Sequence, residues 1–435
     1  MNESNNEDTG SSEDRMSLST GLGHTFVSLR LRDYRLLWLG QFSTNMGQWM
    51  DQVTRGWLIY QITGSALQLG LATALRGLPL LFFGVLAGAV ADRSNRKAQL
   101  ILAQVVNALL NVVLATLVLL HRVQPWHVYV TGVLGGTVQA FQQPARQTLI
   151  SDIVGARYLM NALALNAMAM NVARAIGPAM AGILIALTGT HGSYYVQAVM
   201  FVLATLWTIQ MVVPARSPEA VAARREPFWH SVTAGLAFVV QDRDIRTLMI
   251  LAHGPLTLGM SYMSLLPIFA KDVLHGGASM QGVLTTIIGI GSVLGSLWVA
   301  MIQRRYSYGR TVVLGAFAFG VTLFGFASAR EIMTSSICAF CIGLSVVTYQ
   351  TQNQTLLQLL APRHIRGRVM SIFLLNRGLV PLGTLLAGVL AEHLGGPLAL
   401  QIMSLAVLGV VIMVVVLTPR FLKLQVEFQD RVPTR

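Results

Sequence analysis

Apolar runs of bilayer length, separated by short clusters of arginine and lysine, recur from residue 36 to residue 418 and leave little freedom for another fold. A spanning helix needs about 20 mostly apolar residues. Twelve stretches qualify: 36–60, 68–91, 98–120, 126–145, 160–187, 193–213, 246–270, 281–302, 311–329, 332–358, 369–391 and 397–418. Only 11% of residues are charged, whereas soluble domains carry roughly 25%. The pattern predicts an all-α integral membrane protein with twelve transmembrane helices.

A net charge of +13 does not point to nucleic acid, because the bases recur between the runs instead of gathering on one accessible face. It reads as topology. Cytoplasmic loops hold the excess of Lys and Arg. Of the 31 such residues, Arg122, Lys271 and Arg330 fall in one set of hops, and Arg55, Arg76, Arg174 and Arg377 fall within runs. The rest lie in the tails and the other hops, so both termini are expected in the cytoplasm. Residues 1–27 are polar, Ser-rich and acidic, without the basic-then-apolar order of a leader, and are expected to form a disordered cytoplasmic tail.

An internal repeat divides the runs into two six-helix halves. Gly84-xxx-Gly88 recurs as Gly291-xxx-Gly295 and Gln147-Thr148-Leu149-Ile150 as Gln354-Thr355-Leu356-Leu357, both at a shift of 207, while Arg174-xxx-Pro178 recurs as Arg377-xxx-Pro381 at 203. The expected organisation is an N-tail over 1–27, bundles over 28–213 and 246–418, a cytoplasmic linker over 214–245 and a C-tail over 419–435. Within the linker, Phe228, Trp229, Val232, Leu236, Val239 and Val240 fall at helical spacing, fitting either an interfacial helix or an extension of the seventh span. Six-helix repeats of this kind are a transporter architecture, with the substrate site between them near mid-bilayer.

The first run carries Gln41, Asn45, Gln48, Gln52 and Arg55 on one helix face, with Asp51 four residues before Arg55. Both charges are costly in lipid, so this face should line protein or water, and the pair is a functional candidate. Burial and the adjacent base act on the Asp51 carboxyl in opposite senses, which poises it as a proton carrier tuned by Arg55. The alternative is a permanent pair that locks the first helix.

The fourth run repeats the design with Gln139, Gln142, Gln143 and Arg146, the seventh offers His253 and Thr257, and the tenth Tyr349, Gln350 and Asn353. Together they suggest a central cavity lined by the first and fourth helices of each half, where amides and hydroxyls hold a small organic solute. The same groups also serve as interhelical hydrogen bonds, and His253 beside Gly254-Pro255 suits a core histidine bonded to backbone freed by the proline.

Cys338 and Cys341 lack further ligands at metal-binding spacing, so no metal or cofactor is expected. No Gly-Lys dipeptide exists, which excludes a Walker A loop, and no Gly-x-Ser-x-Gly or His-Glu-x-x-His suggests an enzyme.

Gly88-Ala89-Val90-Ala91-Asp92-Arg93-Ser94-Asn95-Arg96-Lys97 resembles the helix 2 to 3 signature of the major facilitator superfamily, with Asn95 where that signature has its second glycine. Arg174-Ala175-Ile176-Gly177-Pro178-Ala179-Met180-Ala181-Gly182 is similar to the helix 5 motif of its proton-coupled exporters. Gln41-Phe42-Ser43, Trp57-Leu58-Ile59-Tyr60, Pro144-Ala145-Arg146-Gln147 and Arg366-Gly367-Arg368-Val369-Met370 resemble its bacterial drug and siderophore exporter branch. The resemblance implies alternating access in a bacterial inner membrane and export of a small, mostly apolar compound by proton antiport. It further implies a monomer, with the substrate, protons and lipid as partners and Gly88, Asp92, Arg93, Arg96 and Lys97 forming a cytoplasmic gate.

Overall fold

The computed structural model describes residues 26–213, 236–302, 308–362 and 365–423. The expected tail through residue 25, linker residues 214–235 and residues 424–435 lie outside them, as do the side chains of residues 84–93 and of Arg377. Helix α1 spans Arg32–Thr63, α2 Ala66–Arg93 and α3 Arg96–Leu119. The helical run Pro125–Gln210 is broken at Gly155 (φ 65°) and Gly189 (φ 77°) into α4 (125–154), α5 (156–188) and α6 (190–210). Glycine adopts such angles without the Cβ strain of other residues.

Helix α7 runs over Arg243–Gly259 and resumes at Tyr262–Ile268, ending in a π turn at Phe269–Val273. Then come α8 (Gly277–Ile302), α9 (Tyr308–Ser328), α10 (Ile332–Leu360), α11 (Arg366–Leu374 and Asn376–Leu394, broken at Leu375) and α12 (Gly396–Leu417). Among the described residues, nine helical stretches are long and apolar enough to cross a membrane. This differs from the expected twelve for two reasons: α5 and α6 merge into one stretch, and α1 and α4, which carry the amide stripes, fall outside the set.

Local chemistry sets the ends. The Asn95 side chain accepts from the Lys97 and Ala98 amides and starts α3, so the departure from glycine at this position supplies an N-cap. Asp242 caps α7 by accepting from the Ile245 amide. Residues 236–241 are helical on the other side of that cap, so they do not simply extend α7.

Glycines bring the helices together, as expected where neighbouring lipid offers no hydrophobic drive for association. Gly70 and Gly388 join α2 to α11: a Cβ on either would lie 3.0 Å from the other's Cα. Gly182 and Gly282 join α5 to α8 in the same way, at 3.1 Å. Both seams lie toward the end of the bundles where α1 passes into α2, the far end. Tyr60 of α1 donates to Asp272, and Glu392 of α11 accepts from Ser65 Oγ (2.9 Å) and the Leu67 amide (3.0 Å), adding polar ties at that end. The repeat is visible in packing too. Gly136 of α4 and Gly343 of α10, 207 residues apart, would each place a Cβ 2.0 Å from a carbonyl, of Arg76 in α2 and Ile288 in α8 respectively.

Candidate functional site

Buried in the first bundle, Asp51 is shared by two arginines. Arg55 donates from Nε to Oδ2 (3.2 Å) and from Nη2 to Oδ1 (3.1 Å), and Arg76 of α2 forms an ion pair with Oδ2. Arg55 Nη1 also donates to the Val128 carbonyl and Thr131 Oγ1, both at 2.9 Å. Asp51 is 5% exposed and Arg55 8%. One carboxylate against two guanidinium groups leaves the cluster with a net positive charge. Gly136 of α4 lets that helix close onto α2 beside the cluster, since a Cβ there would run into the Arg76 carbonyl.

In front of the arginines, between the bundles, lies a cavity of about 370 Å³. Arg55 and Arg76 line it, and Asn45, Gln48 and Gln52 of α1 with Gln139, Gln143 and Arg146 of α4 form its polar wall. The opposite wall is Val380, Pro381 and Thr384 of α11. Asp51 instead borders a narrow space behind the arginines, with Asn107, Asn111 and Thr131. Arg146 donates to Asn45 Oδ1 (3.3 Å) and Gln143 Oε1 (3.0 Å), fixing the amide orientations.

The remaining expected cavity residues stand elsewhere. Gln41 and Gln142 are buried beside the stripes without lining the space. Asn353 Nδ2 donates to the Leu248 carbonyl (3.0 Å), Tyr349 is buried against Phe319 with ring centroids 5.8 Å apart, and Gln350 is exposed. His253 sets Nδ1 2.9 Å from the Met249 carbonyl and Nε2 3.3 Å from that of Ile372. Thr257 belongs to the α7 contact with Gly383 of α11. The cavity is thus lopsided: α1, α2 and α4 supply its charged and amide groups, α11 closes it, and His253, Thr257, Tyr349 and Asn353 of α7 and α10 serve contacts within their own bundle.

The helix 5 and 11 motifs act as spacers. Arg174 lies over the Trp49 ring at 5.5 Å, and Gly177 lets α5 approach α1, since a Cβ there would meet Trp49 Cβ at 2.8 Å. The Pro178 carbonyl would meet a Cβ on Gly282, and Pro381 packs on Gly77 of α2. In the expected gate, Gly88, Asp92 and Arg93 fall on undescribed side chains. Arg96 pairs with Asp152, and Lys97 Nζ donates to the Ile209 (2.8 Å) and Met211 (2.6 Å) carbonyls at the end of α6. A cation there suits the helix C-terminus.

Arg76 is the functional candidate that sequence reasoning passed over. It was counted only for topology, yet an arginine within an apolar run is itself the signal.

The model of a family described as transmembrane secretion effector matches residues 23–434. The staphyloferrin A transporter of Staphylococcus aureus is 26% identical over 383 residues, 88% of this chain and 95% of that protein. The multidrug efflux pump Tap of Mycolicibacterium fortuitum is 26% identical over 83% of this chain and 89% of its own. The nucleoside transporter NupG shares the fold, with a TM-score of 0.70 at 15% identity over 90% of this chain and 99% of that one. So does a bacterial homologue of the lysosomal transporter Spinster in an inward-facing, unoccupied conformation, with a TM-score of 0.68 at 16% identity over 90% of this chain and 96% of that one. A match over nearly the whole chain, together with a polar cavity between two helical bundles, places this multi-pass membrane protein in the transmembrane secretion effector family of major facilitator transporters.

Proposed function

We propose that this transporter exports a small organic compound by alternating access, as a monomer with both termini in the cytoplasm, and that protons act on the cycle at Asp51. The observation that supports this is that the Asp51 carboxylate holds the same two arginines that line the cavity. Proton occupancy of one buried oxygen then decides whether Arg55 and Arg76 are engaged behind the wall or released toward the substrate. The direction of coupling follows from the substrate's charge: released arginines expel a cation and hold an anion. The efflux role in the name of one relative, the multidrug efflux pump Tap, supports the outward direction.

The test is transport into inverted membrane vesicles under an imposed pH gradient, where an exporter moves substrate inward. Asp51→Asn should abolish the response to the gradient. If gradient-driven transport persists undiminished in that variant, Asp51 is not the coupling group. An importer of the same fold gives the opposite direction of flux, and a non-transporting sensor gives none.

A further inference from the structure

Behind the arginines, α3 buries amide oxygens that no protein group satisfies. Asn111 is 5% exposed and Gln104 2%, and Asn111 Oδ1 and Gln104 Oε1 have no hydrogen-bond partner among the described residues. The orientation of Asn111 is fixed, because its Nδ2 donates to the Asn107 carbonyl (2.7 Å), just as Asn107 Nδ2 donates to that of Ala103 (2.9 Å). Both amides commit a nitrogen to their own helix and keep the oxygen as an acceptor. Gln104, Asn107 and Asn111 share one face of α3. Asn107 and Asn111 meet Asp51 in the narrow space behind the arginines, whose volume is about 20 Å³, room for one water molecule. Buried oxygens bond to ordered water where no protein donor serves them.

We propose that water held in this space by Asn107 and Asn111 is the proton relay of Asp51, and that the proton leaves along α3 past Gln104, apart from the substrate cavity. The Asp51 carboxyl gives its proton to the water beside it, that water passes one of its own to the next, and the carboxylate is left to the two arginines. Asn107, Asn111 and Gln104 are positioning residues, which hold water and carry no proton themselves. Gln104 stands about 10 Å from Asn111 along the helix, toward the Arg96 end of α3, which is the cytoplasmic end in the topology proposed above. This deepens the reading of Asp51 as the coupling group and rests on it.

Electrostatics favours the rear route over the front. Among the described residues, the charged and titratable groups around this carboxyl are Arg55 of its own helix, Arg76 of α2 and, in the field of both arginines, the buried Tyr194 of α6. From α3 and α4 it meets the neutral Asn107, Asn111 and Thr131. A proton passing to the front cavity would run by Arg55 and Arg76, which border both spaces, and guanidinium groups oppose such a passage. An exporter takes substrate from the side to which it releases protons, and two routes keep the traffic apart.

Time-resolved infrared absorption of the full-length protein in lipid nanodiscs, after a light flash releases a caged proton, tests the proposal. The carboxyl stretching band that rises in the parent and is missing in Asp51→Asn belongs to Asp51. Asn111→Leu, close in volume and without an acceptor, should slow that rise about tenfold, the factor for one hydrogen bond withdrawn from the barrier. Gln104→Leu should slow it as well, and Asn111→Ser, which keeps a polar group and widens the space, should be faster than Asn111→Leu. Gln139→Leu, on the front wall, should leave the rate near that of the parent. A time constant does not depend on how much of a preparation is folded. The second readout is the water itself: an O–H band shifted by heavy-oxygen water in the acid-minus-neutral spectrum, present in the parent and absent in Asn111→Leu. Equal rates in the parent and in Asn111→Leu, or slowing by Gln139→Leu alone, would overturn the route and leave Asp51 as the coupling group. If Asp51→Asn removed no band on acidification, the coupling reading would fall and the route with it.

Discussion

A single methyl group at Gly282 should hold the far end of the transporter open. In Gly282→Ala the added Cβ would lie 2.9 Å from the Pro178 carbonyl oxygen and 3.1 Å from Gly182 Cα. Both neighbours are backbone of α5, so relief requires displacing a helix and no side-chain rotation suffices. Overpacking of this kind costs typically about 1–3 kcal/mol. The cost is charged only to the state in which α5 and α8 touch, so the equilibrium shifts away from that state by about 5-fold to 150-fold. Ala66, 6% exposed at the start of α2 on the other far-end seam, reports the change without touching the mutated one. In a background with Cys338 and Cys341 replaced, an Ala66→Cys thiol should react faster with an impermeant maleimide when Gly282→Ala is present. Gly409→Ala is the control, since its Cβ would meet nothing within 4 Å. Unchanged labelling and unchanged transport in Gly282→Ala, repeated with Gly282→Val, would refute the view that the glycine seam is a contact specific to one state.

Three further outcomes are expected. Arg55→Gln leaves Asp51 with Arg76 alone and strips donors from Val128 and Thr131; a broken buried pair costs about 3–5 kcal/mol, so thermal unfolding in detergent should fall markedly, and Asp51→Asn with Arg55→Gln should recover part of the loss. Glu392→Gln weakens the tie to Ser65 and Leu67 and should speed Ala66→Cys labelling modestly, with at most about 1 kcal/mol at this exposed position; slower labelling would count against a far-end latch. Lys97→Ala removes the cation from the α6 carbonyls and should lower stability by about 0.3–1 kcal/mol, with Lys97→Arg restoring it.

Much of the architecture was legible because membrane length and charge leave strong marks. The apolar runs and the glycines spaced for close approach each follow from a local rule. The Asp51 and Arg55 pair was legible for the same reason, since four residues on one helix fix the distance. What escaped was everything that depends on how helices rotate against each other. Arg76 meets Asp51 where Gly136 lets α4 close onto α2, a relation among three helices that no single stretch encodes. The amides of α4 and α10 look alike as stripes, yet Gln143 faces the cavity while Asn353 serves the Leu248 carbonyl. Helix amphipathicity states that a face is polar, and only packing decides what that face meets.

The polarity of α1 also bears on how the protein is made. This helix is made before the other eleven, and it falls outside the set of stretches apolar enough to cross a bilayer. Asp51 and Arg55 alone, as separate charges at the centre of a lone helix, would oppose insertion by about 5–7 kcal/mol, and their pairing within one turn offsets only part. The groups that complete the cluster arrive later: Arg76 with α2, then Val128 and Thr131 with α4. Stable residence of α1 in the membrane is therefore a property of the assembled bundle. Biogenesis must shelter a half-polar helix at the translocon until about a hundred further residues have been synthesised, so nascent chains ending before α4 should remain extractable from the membrane.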